Sequence, residues 1–487
     1  MSTTPNGVPF YDVIVVGAGL SGIGAGYHLQ NACPDKSFAI LESRASMGGT
    51  WDLFKYPGIR SDSDMYTLGF PFNPWKSDKT LADGPAILQY IKDTAAKFGI
   101  DKKIQYHHKV TDASWSDAEK LWTISLAPNE QVPYTQLQCR FLTMCSGYYD
   151  YKSGYLPEFA GKDTFEGQIV HPQQWTPNVD YANKKVIVIG SGATAVTLVP
   201  ELAKKAAHVT MLQRTPTYIA AVPGTDKIAS ALKKVLPEKL AYSMIRWKNI
   251  MLAIGVFNFS KRWPQTMRRL IQKGAEKSIG NAYEQKHFDP PYNPWDQRMC
   301  LIPDADLFSA IREGSANIVT DQIERFTPKG ILLKSGEELN ADLIVTATGL
   351  KVQLLGGMTM HRNGALVDPG KTHAYRGVMF SDIPNFAFTV GYTNASWTLK
   401  CDLSLQFVTK VLRYMAAHNH EVVTPRFDSK AFTSEPLLDF SAGYVLRAAD
   451  MLPKQGSKHP WKVYQNYVRD LMSLKWSGVN DKYLEYK

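Results

Sequence analysis

The sequence predicts an α/β protein in which one strand–glycine turn–helix plan is used twice, with a helical insertion in the second copy. Three observations predict it. Two short apolar, β-branched runs, "YDVIVV" at 11–16 and "KVIVI" at 185–189, each lead straight into a glycine turn. Each turn opens a helical stretch that is followed by another strand-like run, "SFAILE" and "HVTMLQ". Between about 223 and 300 the pattern changes to mostly helical sequence. The 487 residues are enough for two or three domains and a large core.

In the first unit, Gly17, Gly19 and Gly22 of "GAGLSG" occupy the glycine positions of G-x-G-x-x-G. The first glycine permits the turn, the second lets backbone approach a pyrophosphate, and the third lets helix pack on strand. The helix N-terminus then faces the phosphates. The next strand ends in Glu42, whose carboxylate can accept both hydroxyls of a ribose. This context predicts a Rossmann-like site for a dinucleotide with a free ribose, such as FAD.

The second unit repeats the plan with "GSGATA", which places Gly190, Gly192 and Ala195 at the three positions. Its following strand ends at Arg214. A carboxylate there would repel a 2′-phosphate, whereas a guanidinium pairs with one. Thr215 and Pro216 follow in a turn that would aim the arginine. The second unit is therefore expected to hold NADPH.

Two further runs, "RFLTMCSG" at 140–147 and "ADLIVTATG" at 341–349, read as strands that return the chain toward the nucleotide units. The expected division is an FAD-binding part over 1–148, an NADP-binding part over 149–222 and the helical insertion over 223–300. A second NADP-binding part over 301–379 and a second FAD-binding part over 380–487 complete it.

Composition narrows the function classes. The N-terminus has no basic segment before its apolar run, so a signal peptide is not expected. No apolar run approaches the roughly 18 residues of a membrane span, and a cytoplasmic protein is expected. The five cysteines include no C-x-x-C pair, which argues for buried free thiols and against a redox dithiol or a metal site. Net charge is +10, and the stretch from Lys227 to Lys277 holds twelve Lys or Arg against two acids. A charge this local argues against a nucleic-acid-binding face. Within it, "SMIRWKNIMLAIGVFNFSKRW" at 243–263 mixes large apolar and basic residues. That composition suits a helix lying on an anionic membrane surface. The competing reading is an amphipathic helix packed on the NADPH unit.

Beside these units stand two longer signatures. "FEGQIVHPQQW" sets Phe165, Gly167, His171 and Trp175 in the spacing F-x-G-x-x-x-H-x-x-x-W, followed by Thr176 where Pro or Asp is usual. "GGTWDLFKYPGIRSDSD" at 48–64 supplies Gly48, Gly49, Trp51, Tyr56, Pro57, Gly58 and Asp62. With "YNPWDQR" and "VGYTNASWTLK", the chain resembles the Baeyer–Villiger-type flavin monooxygenases over nearly its whole length. Its local runs resemble the ethionamide-activating branch closely.

The resemblance implies roles. Thr50, Trp51 and Asp52 would line the flavin, with Ser21 and Val110 also touching FAD. Arg60, Ser61 and Asp62 would face the nicotinamide. Ser191, Gly192, Ala193, Thr194, Ala195, Val196 and Thr197, then Arg214 and Thr215, would hold NADPH, and Trp397 would lie near its ribose. Gln297 stands where many relatives have a lysine near the 2′-phosphate, leaving Arg214 with more of the task. Arg298 would be the catalytic arginine, with Asp62 as its partner. His171 is expected to be structural rather than a base.

The implied reaction converts ketones to esters or lactones through a flavin C4a-peroxide, with sulfides and thioamides also oxidised. Negative charge develops on oxygen, and a fixed guanidinium that does not lose its proton suits it. The alternative is an S- or N-oxidising flavin monooxygenase without ketone activity. A disulfide reductase also uses FAD and NADPH, but the absence of C-x-x-C argues against it. The expected partners are a small ketone or sulfide and O2, without nucleic acid.

Overall fold

The structure, a computed structural model, describes residues 2–3, 7–438 and 443–487. The first glycine unit forms as its pattern requires. β1 (Pro9–Val16) enters the turn, α1 (Leu20–Ala32) leaves it, and β2 (Phe38–Leu41) pairs parallel beside β1. The signature loop at 48–64 holds one short helix, α2 (Thr50–Leu53), and another, α3 (Met65–Leu68), follows it. Then come β3 (Ile104–Gln105), β4 (Val110–Ser116), β5 (Leu121–Leu126) and β6 (Gln136–Met144). β6 runs parallel to β1 on one side and antiparallel to β5 on the other.

The second unit is a five-stranded, all-parallel sheet. It contains β7 (Gln168–Val170), β8 (Lys185–Ile189), α4 (Ala193–Leu202) and β9 (His208–Gln213). The insertion follows as α5 (Lys227–Val235), α6 (Glu238–Arg262) and α7 (Pro264–Ile279). β10 (Ala316–Thr320) and β11 (Leu343–Thr346) then complete the sheet in the order β10-β9-β8-β11-β7. Val186, Val188, Val209 and Val345 on one face and Ile187, Leu212 and Ile344 on the other are all buried, as a sheet covered on both faces demands.

The chain returns to the first sheet earlier than the expected boundary at 379. β12 (Thr359–Arg362) pairs parallel with β4, so this part of 301–379 belongs to the first unit. "TMHR" is too short and mixed to declare its sheet, and only the fold supplies its neighbour. β13 (Phe386–Phe388) then adds to β6, and the long α8 (Trp397–Ala417) packs against α1.

Besides the insertion, whose helix α6 lies on the first unit, two stretches of chain join the units, and they run side by side. Gln353 N donates to Tyr148 O (3.0 Å), Asp150 N to Lys351 O (2.9 Å) and Tyr155 N to Gly349 O (2.9 Å). His171 sits at this joint with its ring Nε2 3.2 Å from Gly349 O.

α6 does not pack on the NADPH unit, as one reading of its composition expected. It lies against α3 of the first unit. Arg246 Nη1 donates to the carbonyls of Tyr66 (2.8 Å), Thr67 (3.2 Å) and Gly69 (2.7 Å). The guanidinium thus satisfies carbonyls at the open end of α3. No helix among the described residues is long and apolar enough to cross a membrane.

Candidate active site

The two glycine turns are built alike. Gly17 has φ +104, and a Cβ there would meet Cys145 O at 2.6 Å. Gly190 has φ +130, and a Cβ there would meet Ala347 O at 2.3 Å. In both units the turn is pressed against the end of the neighbouring strand, which only glycine allows. Gly19 and Gly192 are the N-caps of α1 and α4, and neither helix has a side-chain cap. Their first N–H groups therefore face the space ahead of them, a setting that favours phosphate.

That space is one continuous cleft of about 1460 Å³ between the units. It brings together most of the residues singled out from sequence. Gly17, Gly19, Ser21, Glu42, Thr50, Trp51 and Val110 line the first half, and Arg60, Ser61, Asp62 and Trp397 line it near the middle. Ser191, Gly192, Ala193, Thr194, Val196, Thr197, Arg214, Thr215 and Arg298 line the second half. Gly22, Asp52 and Ala195 stand behind the wall. A Cβ on Gly22 would meet Gly17 O at 1.8 Å, so its task is close helix packing, and Ala195 is fully buried. The Asp52 carboxylate turns to Arg44 (2.6 Å) and to the Ser46 hydroxyl (2.5 Å). Burial works against its ionisation, but Ser46, Arg44 and the Lys55 ammonium (3.5 Å) together outweigh it and hold the carboxyl below its usual range.

Glu42 is buried and held in place. Its Oε2 accepts from Ala18 N at 2.9 Å and its Oε1 from Arg44 N at 3.0 Å. A carboxylate can accept about four hydrogen bonds, so capacity remains on the cleft side. Arg214 is exposed at the rim of the other half and makes no ion pair among the described residues. Uncapped helix ends, a fixed carboxylate in one unit and a free guanidinium in the other fit FAD and NADPH in the predicted order.

At the centre, Arg298 Nη2 lies 2.9 Å from Asp62 Oδ1 and 2.8 Å from Oδ2. The Asp62 charge raises the Arg298 pKa against the opposing pull of burial, so the guanidinium stays protonated. Sequence reasoning missed what surrounds this pair. Tyr148 and Tyr149 share a hydrogen bond of 2.5 Å between their hydroxyls. Tyr148 stacks on Trp397 (5.0 Å), whose Nε1 donates to Ser21 Oγ at 3.0 Å. Burial pushes both phenols up, so they remain hydroxyl donors beside Arg298. Lys334, exposed where the cleft is also lined by Asp321 and Gln322, was missed as well. Neither Tyr148 nor Lys334 lies in a motif, so no local signal marks them.

Comparison with known proteins agrees with this construction. A family profile described as pyridine nucleotide-disulphide oxidoreductase matches residues 14–241. It shares the scaffold, but the thiol chemistry in its description has no counterpart here. All five cysteines are buried and unpaired, and burial pushes Cys145 and Cys300 up to about 12. The FAD-containing monooxygenase EthA of Mycobacterium tuberculosis is 53% identical over 477 residues, covering 98% of this chain and 97% of the relative. The probable FAD-binding monooxygenase AlmA of an Acinetobacter species is 46% identical, covering 98% and 96%. Among solved structures, oxidized steroid monooxygenase bound to NADP superposes with a TM-score of 0.77 at 20% identity, covering 98% of this chain and 99% of that one. Cyclohexanone monooxygenase with bound ε-caprolactone gives 0.76 at 19%, covering 98% and 100%. The chain therefore belongs to the FAD-containing monooxygenases, in the EthA-like branch, and has the two-nucleotide-domain fold of the Baeyer–Villiger enzymes.

Proposed function

We propose that the protein is an NADPH-dependent FAD monooxygenase that converts ketones to esters or lactones and also oxidises sulfides and thioamides. The observation that carries this reading is the Arg298–Asp62 pair, set in the middle of the cleft between an FAD-fitting half and an NADPH-fitting half. When bound, FAD supplies the reduced flavin that activates O2, with NADPH as the hydride source.

The residues of the chain do the rest. The N-terminus of α1 and Glu42 hold the pyrophosphate and ribose of FAD. Thr50 and Trp51 shape the flavin end of the cleft. The N-terminus of α4 and Arg214 hold NADPH, and Arg214 reads its 2′-phosphate. Arg298 places a permanent positive charge where an oxyanion develops, and Asp62 sets its position. The stacked Tyr148 and Trp397 help exclude water, which would divert oxygen to hydrogen peroxide. S- or N-oxidation without ketone activity is the alternative, and it makes less use of a fixed guanidinium.

One reaction tests the proposal. Purified holoenzyme is mixed with NADPH and a panel of ketones and sulfides, and products are identified by mass spectrometry. Ester formation with matching NADPH consumption is expected. Sulfoxide without any ester would select the alternative.

A further inference from the structure

The long insertion helix α6 presents an apolar stripe to solvent. Leu240, Met244, Trp247 and Met251 are between 41% and 53% exposed. Their spacing of four, three and four places them on one helical face. The opposite face is fastened to the first unit through Ile245, Arg246 and Asn249, all buried. Asn249 Nδ2 donates to Asp64 Oδ1 at 2.8 Å. The stripe is thus a fixed feature of the surface.

Cations bracket it. Lys234 and Lys239 precede the stripe, are exposed, and make no ion pair among the described residues. Arg262 ends the helix beside the exposed Trp263, with its guanidinium 5.9 Å from that ring. Of the twelve cations between Lys227 and Lys277, Lys233, Lys248, Lys261 and Arg268 pair with acids outside that stretch and Arg246 is buried, whereas Lys234, Lys239 and Arg262 stay exposed with no ion pair among the described residues.

We infer that this face of α6 docks on an anionic lipid bilayer, with the stripe at the acyl boundary and the flanking cations at the headgroups. Large apolar residues flanked by Lys and Arg on a helix that does not span the bilayer form an interfacial pattern. Charge selects the occupant. A second copy of the chain placed face to face would oppose two equally cationic surfaces, which disfavours that dimer. An anionic bilayer complements the same charge. The inference is independent of the reaction proposed above, because none of these residues lines the cleft.

Co-sedimentation of the FAD-loaded full chain with vesicles tests it. The protein should pellet with phosphatidylglycerol-containing vesicles at low salt and be released at high salt, where charges are screened. It should stay largely in the supernatant with phosphatidylcholine alone. Neutralising one lysine should weaken binding about fivefold, from roughly 1 kcal/mol per headgroup-level cation. Lys234→Gln and Lys239→Gln test this, and Trp247→Ser should weaken binding further without changing flavin content. Equal binding to both lipids would overturn the anionic assignment. Protein left wholly in the supernatant would overturn the inference. So would an oligomer that Trp247→Ser disperses in sedimentation velocity, if the wild type binds no vesicles.

Discussion

Arg60 grips Asp306 with both terminal guanidinium nitrogens, Nη1 at 2.5 Å and Nη2 at 3.4 Å. Arg60 belongs to the signature loop of the first unit, and Asp306 opens the helix Asp306–Arg312 of the second. The contact ties the floor of the cleft to its opposite wall. Asp306→Asn keeps the shape and removes the charge. It should retain FAD yet divert severalfold more NADPH-derived electrons to hydrogen peroxide. Unchanged coupling in a peroxide assay would show that the tie does not order the cleft.

Arg214 is exposed at the cleft rim, makes no ion pair among the described residues, and is proposed to meet the 2′-phosphate of NADPH. Arg214→Ala should weaken NADPH binding by roughly 1.5–3 kcal/mol, the usual worth of a charged hydrogen bond. That is one to two powers of ten in Kd. Lys334→Ala should add a smaller loss, and NADH binding should barely move. Titration of each variant with both nucleotides checks this, and an equal loss for both would remove Arg214 from 2′-phosphate recognition.

Arg298→Ala should separate the two halves of the cycle. Losing one preorganised oxyanion stabiliser costs about a hundred- to a thousandfold in rate. The variant should still bind FAD and consume NADPH, with hydrogen peroxide replacing ester. Arg298→Lys should recover little, because an ammonium does not reproduce the planar fork held by Asp62. Ester formation at near wild-type rate in the alanine variant would refute the assignment.

Thiol reactivity should be low. Burial raises Cys145 and Cys300 to about 12, although both border the cleft. A thiolate is the reactive form, so native protein at pH 8 should label slowly with iodoacetamide, and all five cysteines should label after denaturation. A rapidly labelled pair would revive the dithiol alternative.

Asp117 gives a pH signature for the returning strand β12. Burial opposes its ionisation, but hydrogen bonds from Arg362, Asn363 and Trp115 lower it from 3.8 to about 2. A depressed carboxylate stabilises the fold fully above its unfolded value, and that contribution fades as pH falls through the folded one. Asp117→Asn should therefore lower Tm at pH 6, and its gap from wild type should narrow between pH 4 and pH 2. A constant gap across that range would show that the carboxylate charge is not what holds β12.

Much of this molecule is legible in its chain because the informative signals are local. The two glycine turns, Glu42 and Arg214 are each placed by one strand–turn–helix unit, and they line the one cleft as their spacing suggests. The insertion is equally plain from its helical runs. What escaped was set by distant partners. Tyr148 matters because folding stacks it on Trp397, and Asp306 because it meets Arg60 across the cleft. β12 carries too few residues to reveal which sheet it joins. α6 reads as a helix from sequence, but which unit it buries itself against depends on where Arg246 finds free carbonyls.

The paired connection between the units has a mechanical consequence. A single connecting strand would let the second unit swivel about three axes, like a ball in a socket. Two stretches bonded to each other through Tyr148, Asp150 and Tyr155, with the insertion helix α6 fastened to the first unit as a further tie, resist torsion and favour bending, like a door on its pins. Opening the cleft should then move Arg214 and Arg298 along one shared arc, so the proposed nucleotide grip and the proposed catalytic charge would change in step.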